Sequence, residues 1–279
     1  MTLKIGGMAL ENGVMFQTQR HWSAAVRDKN GFIEVAGGRK DVALAARPEA
    51  ESLPLVRGPL RMVDAVVLLA QVRRNLPDAR LPLESPVLLG AVALSTAAIS
   101  LLRRPRAREG LVATLAVEAA VAALSLAPAV VALRGSSLAA YHGAEHKSIG
   151  AYEDTSGGGA AGASKEHERC GSNLVAPLLA LDVLGSLVVR RAFRRPPAGA
   201  RVATGLLSFA GAFEILRWVS RRPGSRAARW IMAPGVLLQK AFATREPSSA
   251  QLEVAQSALQ RLLELEGEFG EGDLNPATP

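Results

Sequence analysis

The chain has 279 residues, of which 49% are hydrophobic and only 4% aromatic, and its formal net charge is +8. The apolar content is largely Ala, Leu and Val, gathered into long blocks instead of alternating with charge, which is the distribution a membrane span requires and a soluble enzyme seldom has. The positive charge falls in arginine runs beside those blocks, and no basic face with interleaved aromatics is present, which argues against a nucleic-acid partner.

The first twenty residues carry Gly6, Gly7, Glu11, Asn12 and Gly13 and no continuous apolar core, so they do not read as an export signal and the termini are placed in the cytoplasm. Residues 1–58 read as a small β unit. Trp22 to Val26 and Phe32 to Val35 form two short strands joined through Asp28-Lys29-Asn30-Gly31, whose Asn-Gly pair suits a hairpin turn, and the Gly-rich opening joins them. Within 59–85, Leu60 to Arg74 is an apolar helix interrupted by Arg61, Asp64, Gln71 and Arg73, which suits an interfacial or partly re-entrant position.

About four membrane helices follow, as two pairs. Pro86 to Leu102 is free of charge and Leu111 to Leu133 is broken only by Glu118 and Pro128, which gives the pair in 86–133. Leu174 to Val189 and Val202 to Val219 give the pair in 174–219, each with one acid, Asp182 and Glu214. In 220–266, Trp230 to Leu238 is too short to cross and lies at the interface. Ser248 and Gln251 then supply a capping box for a last helix whose Leu252, Ala255, Leu259, Leu262 and Leu263 form one apolar face. The tail, 267–279, is acidic and has the composition of a disordered segment. The fold class is therefore mainly α: a polytopic membrane helical bundle with a small N-terminal β unit and a C-terminal amphipathic helix. Arginine-rich runs (Arg103, Arg104, Arg106, Arg108; Arg190, Arg191, Arg194, Arg195) lie in the loops opposite the termini, so the positive-inside rule pulls against a cytoplasmic amino terminus.

The chemistry concentrates in 134–173. His142-Gly143-Ala144-Glu145-His146 places two imidazoles four residues apart on one helical face, in the inverted order of a zinc-protease motif, with Glu145 as the group that handles a proton. His167 and Cys170, within one turn of each other, offer further ligands, so three of the four histidines and the only cysteine fall between 142 and 170. A Gly-rich linker after Asp154 allows the two halves to meet. Glu153 is a candidate outer partner of the ligands and Lys147 a candidate for orienting an anionic substrate group, against the plainer reading of a solvated charge. The plainer reading of the whole cluster is polar packing beside membrane helices. Glu118, Asp182 and Glu214 are costly in a bilayer unless they face the bundle interior, protonated or paired with Arg217 or another arginine. His21 reads as a hairpin residue without a ligand-type neighbour.

The stretches Gly6-Gly7-Met8-Ala9-Leu10, Leu55-Val56-Arg57-Gly58, Tyr141 to Lys147 with Ala151-Tyr152-Glu153, His167 to Gly171, Glu214 to Arg217, Pro234-Gly235 with Leu238-Gln239, and Thr244-Arg245-Glu246-Pro247 resemble the YqhQ-like bacterial membrane family. That family is a domain of unknown function described as predicted metal-dependent enzymes, so the resemblance implies a metal site and supplies no substrate. Asn12 stands where the family pattern carries a glutamate.

Three functions remain open at this level. One is a zinc-dependent enzyme, hydrolytic and acting at the membrane surface, with ligands among His142, His146, His167 and Cys170 and Glu145 as base. Another is a non-enzymatic scaffold stapled by the metal, with a protein partner on the β unit and the last helix. The third is an ion or proton transporter using Glu118, Asp182 and Glu214. Membrane lipids are partners in each case.

Overall fold

The computed structural model describes residues 3–41, 44, 47–104, 110–154, 159–193, 196–222 and 224–267. Arg106, Arg108, Arg194 and Arg195, the middle of the Gly-rich linker and the acidic tail from residue 268 lie outside the described residues.

The N-terminal unit is a four-stranded antiparallel meander in the order β1 (Gly6–Leu10), β2 (Gly13–Gln17), β3 (His21–Arg27), β4 (Ile33–Arg39). It has two more strands than the pattern around Trp22 suggested, because the Gly-rich opening itself pairs as a hairpin, with Met8 opposite Met15. The Asp28 side chain accepts from the backbone N–H groups of Asn30 and Phe32, and Gly31 takes a φ of 91°, which closes the β3–β4 turn. Asn12 ties this unit to the following loop: its amide donates to Arg27 O and Asp78 O and accepts from the Arg80 N–H.

Alternation along the strands gives the sheet two buried faces. On one face Leu10, Met15, Trp22, Ala24 and Val26 pack against Leu68 and Val72 of α2 (Arg57–Asn75) and against Leu76. The stretch expected to lie at the interface packs one side on the sheet, where Gln71 is buried beside Leu68 and Val72 and donates to Arg39 O, and leaves Met62, Val63 and Val66 exposed on the other. On the second face Val14, Phe16 and Ala25 pack against α5 (Ser137–Glu153) and α10 (Ser249–Leu265). There the Ser23 hydroxyl donates to Ala258 O at 2.6 Å. Ser248 and Gln251 cap each other at the start of α10. His21 does have a partner: its Nδ1 lies 2.8 Å from Glu266 Oε1, which also receives the Thr18 hydroxyl, so the end of α10 is tied to the β2–β3 turn.

Four apolar helices complete the chain: α3 (Pro86–Leu102), α4 (Leu111–Leu133), α7 (Val175–Ala192) and α8 (Ala198–Ser220); α1 (Pro48–Ser52) and α6 (Gly159–Gly162) are short links. Among the described residues three helical stretches, Val112–Leu133, Gly171–Ala192 and Gly199–Ser220, are long and apolar enough to cross a membrane. The third begins three residues earlier than the sequence reading placed it, and the second starts with a 3-10 turn at Gly171. α3 has 17 residues and spans roughly 26 Å, short of the roughly 30 Å hydrocarbon core, so the expected count of four is not reached by length alone. The outer surfaces of these helices carry Leu94, Val112, Val188 and Leu207, each more than half exposed, as a lipid-facing surface would. α9 (Arg226–Leu238) carries the short apolar stretch with Pro234 inside it and passes into a π turn, Gln239–Ala243.

The acids Glu118, Asp182 and Glu214 inside the apolar helices are paired. Glu118, 1% exposed on α4, forms ion pairs with Arg190 of α7 at 3.1 Å and with Arg103, after α3, at 3.5 Å; Arg103 also reaches Asp182 of α7 at 3.0 Å. Glu214 of α8 belongs to a separate pair with Arg57, which grips both of its oxygens, and it also accepts from the Leu55 N–H. Its partner is thus Arg57 at the start of α2, contributed by the Leu55-Val56-Arg57-Gly58 stretch, where Leu55 adopts a φ of 66°. Removing Glu118 takes from Arg190 its carboxylate and leaves Arg103 with Asp182 alone, so Glu118→Ala should lower unfolding free energy by about 3 kcal/mol in a detergent-denaturant titration, whereas Asp182→Ala, at a more exposed carboxylate, should cost about 1 kcal/mol.

Candidate functional site

The site is built on α5, whose residues Leu138, His142, Glu145, His146 and Ile149 recur at helical spacing and line one cavity of about 360 Å³. Opposite them stand Gly6 and Gly7 of β1, and Cys170 and Gly171 close the third side. His142, Glu145 and His146 therefore present their side chains to a shared space.

Each histidine of the α5 pair is oriented by a backbone carbonyl. His142 Nδ1 lies 2.8 Å from Ala243 O and His146 Nδ1 lies 2.6 Å from Lys165 O. A carbonyl only accepts, so in each ring Nδ1 carries the proton and Nε2 keeps its lone pair. The Cys170 Sγ sits 3.3 Å from His142 Nε2 and also receives the Ser172 N–H at 3.5 Å. One ligand atom from each of His142, His146 and Cys170 lies within 4.8 Å of the others, so these three residues could hold a metal ion.

His167 comes close without joining them. Its ring centroid is 5.6 Å from that of His146, but its Nδ1 accepts the Arg169 N–H at 3.2 Å and its Nε2 faces Glu153 Oε2 at 3.4 Å. Both ring nitrogens are therefore occupied. Burial, the His146 ring and Arg169 hold its pKa below the usual imidazole value, against the opposing pull of Glu153. Glu153 in turn is gripped by Arg169, which makes it the support of the His167 turn.

Glu145 is 6% exposed, and a methyl group on Gly7 would lie 2.5 Å from its Oε1, so β1 can run past this carboxylate only because residue 7 has no side chain. Burial pushes its pKa up to about 7, with His142 opposing. Lys147 is not a solvated charge. It is 4% exposed, is absent from the cavity lining, donates to Ala161 O at 2.9 Å and pairs with Glu246 at 2.7 Å.

Several supporting residues carried no chemical signal in the sequence. The side chain of Gln239, fully buried, accepts from the His167 N–H at 2.8 Å and donates to His167 O and to the Ser172 hydroxyl, which fixes the turn bearing Cys170. The Thr244 to Pro247 segment folds back on α5: the Arg245 N–H donates to Ala139 O, and the Arg245 carbonyl abuts the Gly143 Cα so closely that any side chain there would collide with it. Only the quoted stretches Leu238-Gln239 and Thr244 to Pro247 hinted at these roles. The acids of the apolar helices, Glu118, Asp182 and Glu214, lie apart from the cavity lining, and Glu214 shares no ion pair with the other two.

A mainly helical chain with candidate membrane helices and a carbonyl-oriented His/His/Cys cluster is the class these features define. The chain belongs to the family described as a protein of unknown function, DUF1385, the YqhQ-like family, whose model matches residues 109–265, more than half of its length. That description carries no activity, and the match takes in α4 to α10 and all the clustered histidines while leaving β1 outside. Comparison with curated proteins and with solved structures gives no match.

Two changes test this architecture. Gly143→Ala forces the Arg245 carbonyl aside and should destabilise the protein by about 1–3 kcal/mol in thermal unfolding. Gln239→Leu keeps the volume but unties the His167–Ser172 turn, and the accessibility of Cys170 to a thiol reagent should rise at least severalfold in stopped-time labelling.

Proposed function

We propose that this protein is a membrane-embedded, zinc-dependent enzyme, hydrolytic in character, in which His142, His146 and Cys170 hold the ion and Glu145 serves as general base. The observation that carries the reading is the pair of Nδ1–H bonds to Ala243 O and Lys165 O, which leaves Nε2 of each ring as its ligand atom in a cluster where one ligand atom each from His142, His146 and Cys170 lies within 4.8 Å of the others. Histidines that ligate metals are oriented in this way by carbonyls or carboxylates. Tetrahedral coordination with Zn–N of about 2.0–2.1 Å and Zn–S of about 2.3 Å sets N···S near roughly 3.5 Å, and the His142–Cys170 separation of 3.3 Å fits it.

Three ligands favour catalysis over a closed structural site, because the fourth position then stays open to the cavity. His167, engaged through both nitrogens, acts as an outer support. Bound there, zinc would supply Lewis-acid chemistry at the cavity wall. Glu145, held against Gly7, takes up the proton of a water molecule attacking substrate in the cavity and returns it to the leaving group. Arg169 at the rim offers an anionic substrate group a partner, although part of its charge is committed to Glu153.

The cavity lies where α4 ends and α7 begins, so a substrate would reach it from the membrane surface, as a lipid, a lipid-linked molecule or a peptide. With four crossings the termini and the site share one side, assigned to the cytoplasm. A scaffold reading remains if the ion is closed off by a fourth protein ligand. Transport is disfavoured because Glu214 is paired apart from Glu118 and Asp182.

Metal analysis of the purified protein decides between the readings. One zinc per chain is expected, lost in His142→Ala, His146→Ala and Cys170→Ala and kept in His167→Ala and Glu145→Gln. Loss of zinc in His167→Ala would make the site four-coordinate and favour the scaffold; absence of metal from the unaltered protein would overturn the proposal. Once a substrate is in hand, Glu145→Gln should lower kcat by about 10²–10⁴ with metal content unchanged.

A further inference from the structure

A second cavity, of about 680 Å³, opens where α8 ends, and it shares no lining residue with the first. Ile215, Arg217 and Trp218 of α8, then Arg221 and Arg222, form one wall, and Ile231 of α9 faces them. The Arg57–Glu214 pair forms the remainder. Four arginines thus meet a single carboxylate, and that carboxylate is already gripped at both oxygens by Arg57. The cavity is strongly electropositive.

Its arginines are arranged to receive an anion. The Arg222 guanidinium lies 4.5 Å over the Trp218 ring and bonds Trp218 O at 3.5 Å, so its direction is set in advance. The Arg221 guanidinium has no hydrogen bond or ion pair among the described residues. Beside the charge are apolar walls, Ile215, Ile231 and the face of Trp218, and elsewhere on α9 Trp230 and Leu237 are exposed at 80% and 64%. This combination sits at the end of a helix long enough to cross a bilayer, the depth at which tryptophan and arginine meet headgroups. A small soluble anion would satisfy the guanidinium groups but leave the apolar walls wet. An amphiphile with an anionic head satisfies both.

We propose that this cavity binds an anionic phospholipid, with the phosphate held by Arg221 and Arg222 and the start of an acyl chain lying along Ile215 and Ile231. The Arg57–Glu214 pair closes the deep end and keeps Arg57 from competing for the phosphate. The site is independent of the metal proposal, since it uses none of the same residues.

The full-length protein, purified in a mild detergent and titrated with dioleoyl phosphatidylglycerol or dioleoyl phosphatidylcholine, reports bound lipid by native mass spectrometry. Phosphatidylglycerol should bind at least tenfold more tightly than phosphatidylcholine. The double change Arg221→Gln/Arg222→Gln should weaken phosphatidylglycerol binding about tenfold or more, whereas Arg226→Gln/Arg229→Gln, which removes equal charge from α9 outside the cavity, should change it less than twofold. Millimolar inorganic phosphate should not displace the lipid. Equal losses in the two double variants would reduce the effect to diffuse surface charge, and equal binding of the two lipids would remove the headgroup preference; either overturns the proposal. Displacement by phosphate would instead make this a site for free phosphate and overturn the lipid assignment. All four positions are exposed, and an unchanged melting temperature in each variant keeps a folding defect from imitating the result. Zinc content, unaffected by the Arg221/Arg222 change, separates this outcome from that of the metal site.

Discussion

Much of the molecule's organisation hangs on one hydrogen bond, from His142 Nδ1–H to the Ala243 carbonyl. It selects the tautomer that leaves Nε2 free to face Cys170, and it joins α5 to the turn that follows α9. That turn also carries Gln239, which holds the backbone of His167. Three segments distant in sequence are thereby placed relative to one another through polar contacts inside a buried region, where each lost partner would cost more than it would in water. The apolar contacts of α5 with Phe16, Val14 and α10 supply the cohesion, and the polar contacts supply the register.

The sequence read well where periodicity is long and poorly where close approach decides. The blocks 86–102 and 111–133 became α3 and α4 with the boundaries their composition suggested, because an uninterrupted apolar run has few alternatives. The helical face shared by His142 and His146 was legible for the same reason. The pairing of Gly6–Leu10 with Gly13–Gln17 was not, since glycine-rich strands carry weak alternation. Nor was the role of His167: spacing put it among the ligands, and only the positions of the Arg169 N–H and of Glu153 reveal that its nitrogens are engaged. The burial of Lys147 likewise depends on Glu246 arriving from a segment a hundred residues away.

The charged residues within the apolar helices serve cohesion of the bundle. Glu118, Arg103, Asp182 and Arg190 link α3, α4 and α7, and the separate Glu214–Arg57 pair fastens α8 to the start of α2. A helix in lipid gains little from burying leucine against leucine, since the lipid chains are equally apolar, and for helices as apolar as these, paired charges and close packing are what distinguish one arrangement from another. The division of the acids into two groups assigns one to the bundle's interior and the other to its junction with the sheet-bearing unit.

The π turn at Gln239–Ala243 winds one residue more than an α turn would. Both of its ends are engaged, Gln239 with the cysteine-bearing loop and the Ala243 carbonyl with His142, and the Thr244 N–H and hydroxyl fold back onto the Gln239 carbonyl between them. Shortening this stretch by a single residue would let it relax to ordinary helical winding and swing the Ala243 carbonyl by roughly 100° about the axis, away from the imidazole. The spacing between the glutamine and the alanine is thus a fixed length: the three residues between them, Lys240 to Phe242, set how far apart two anchored ends stand.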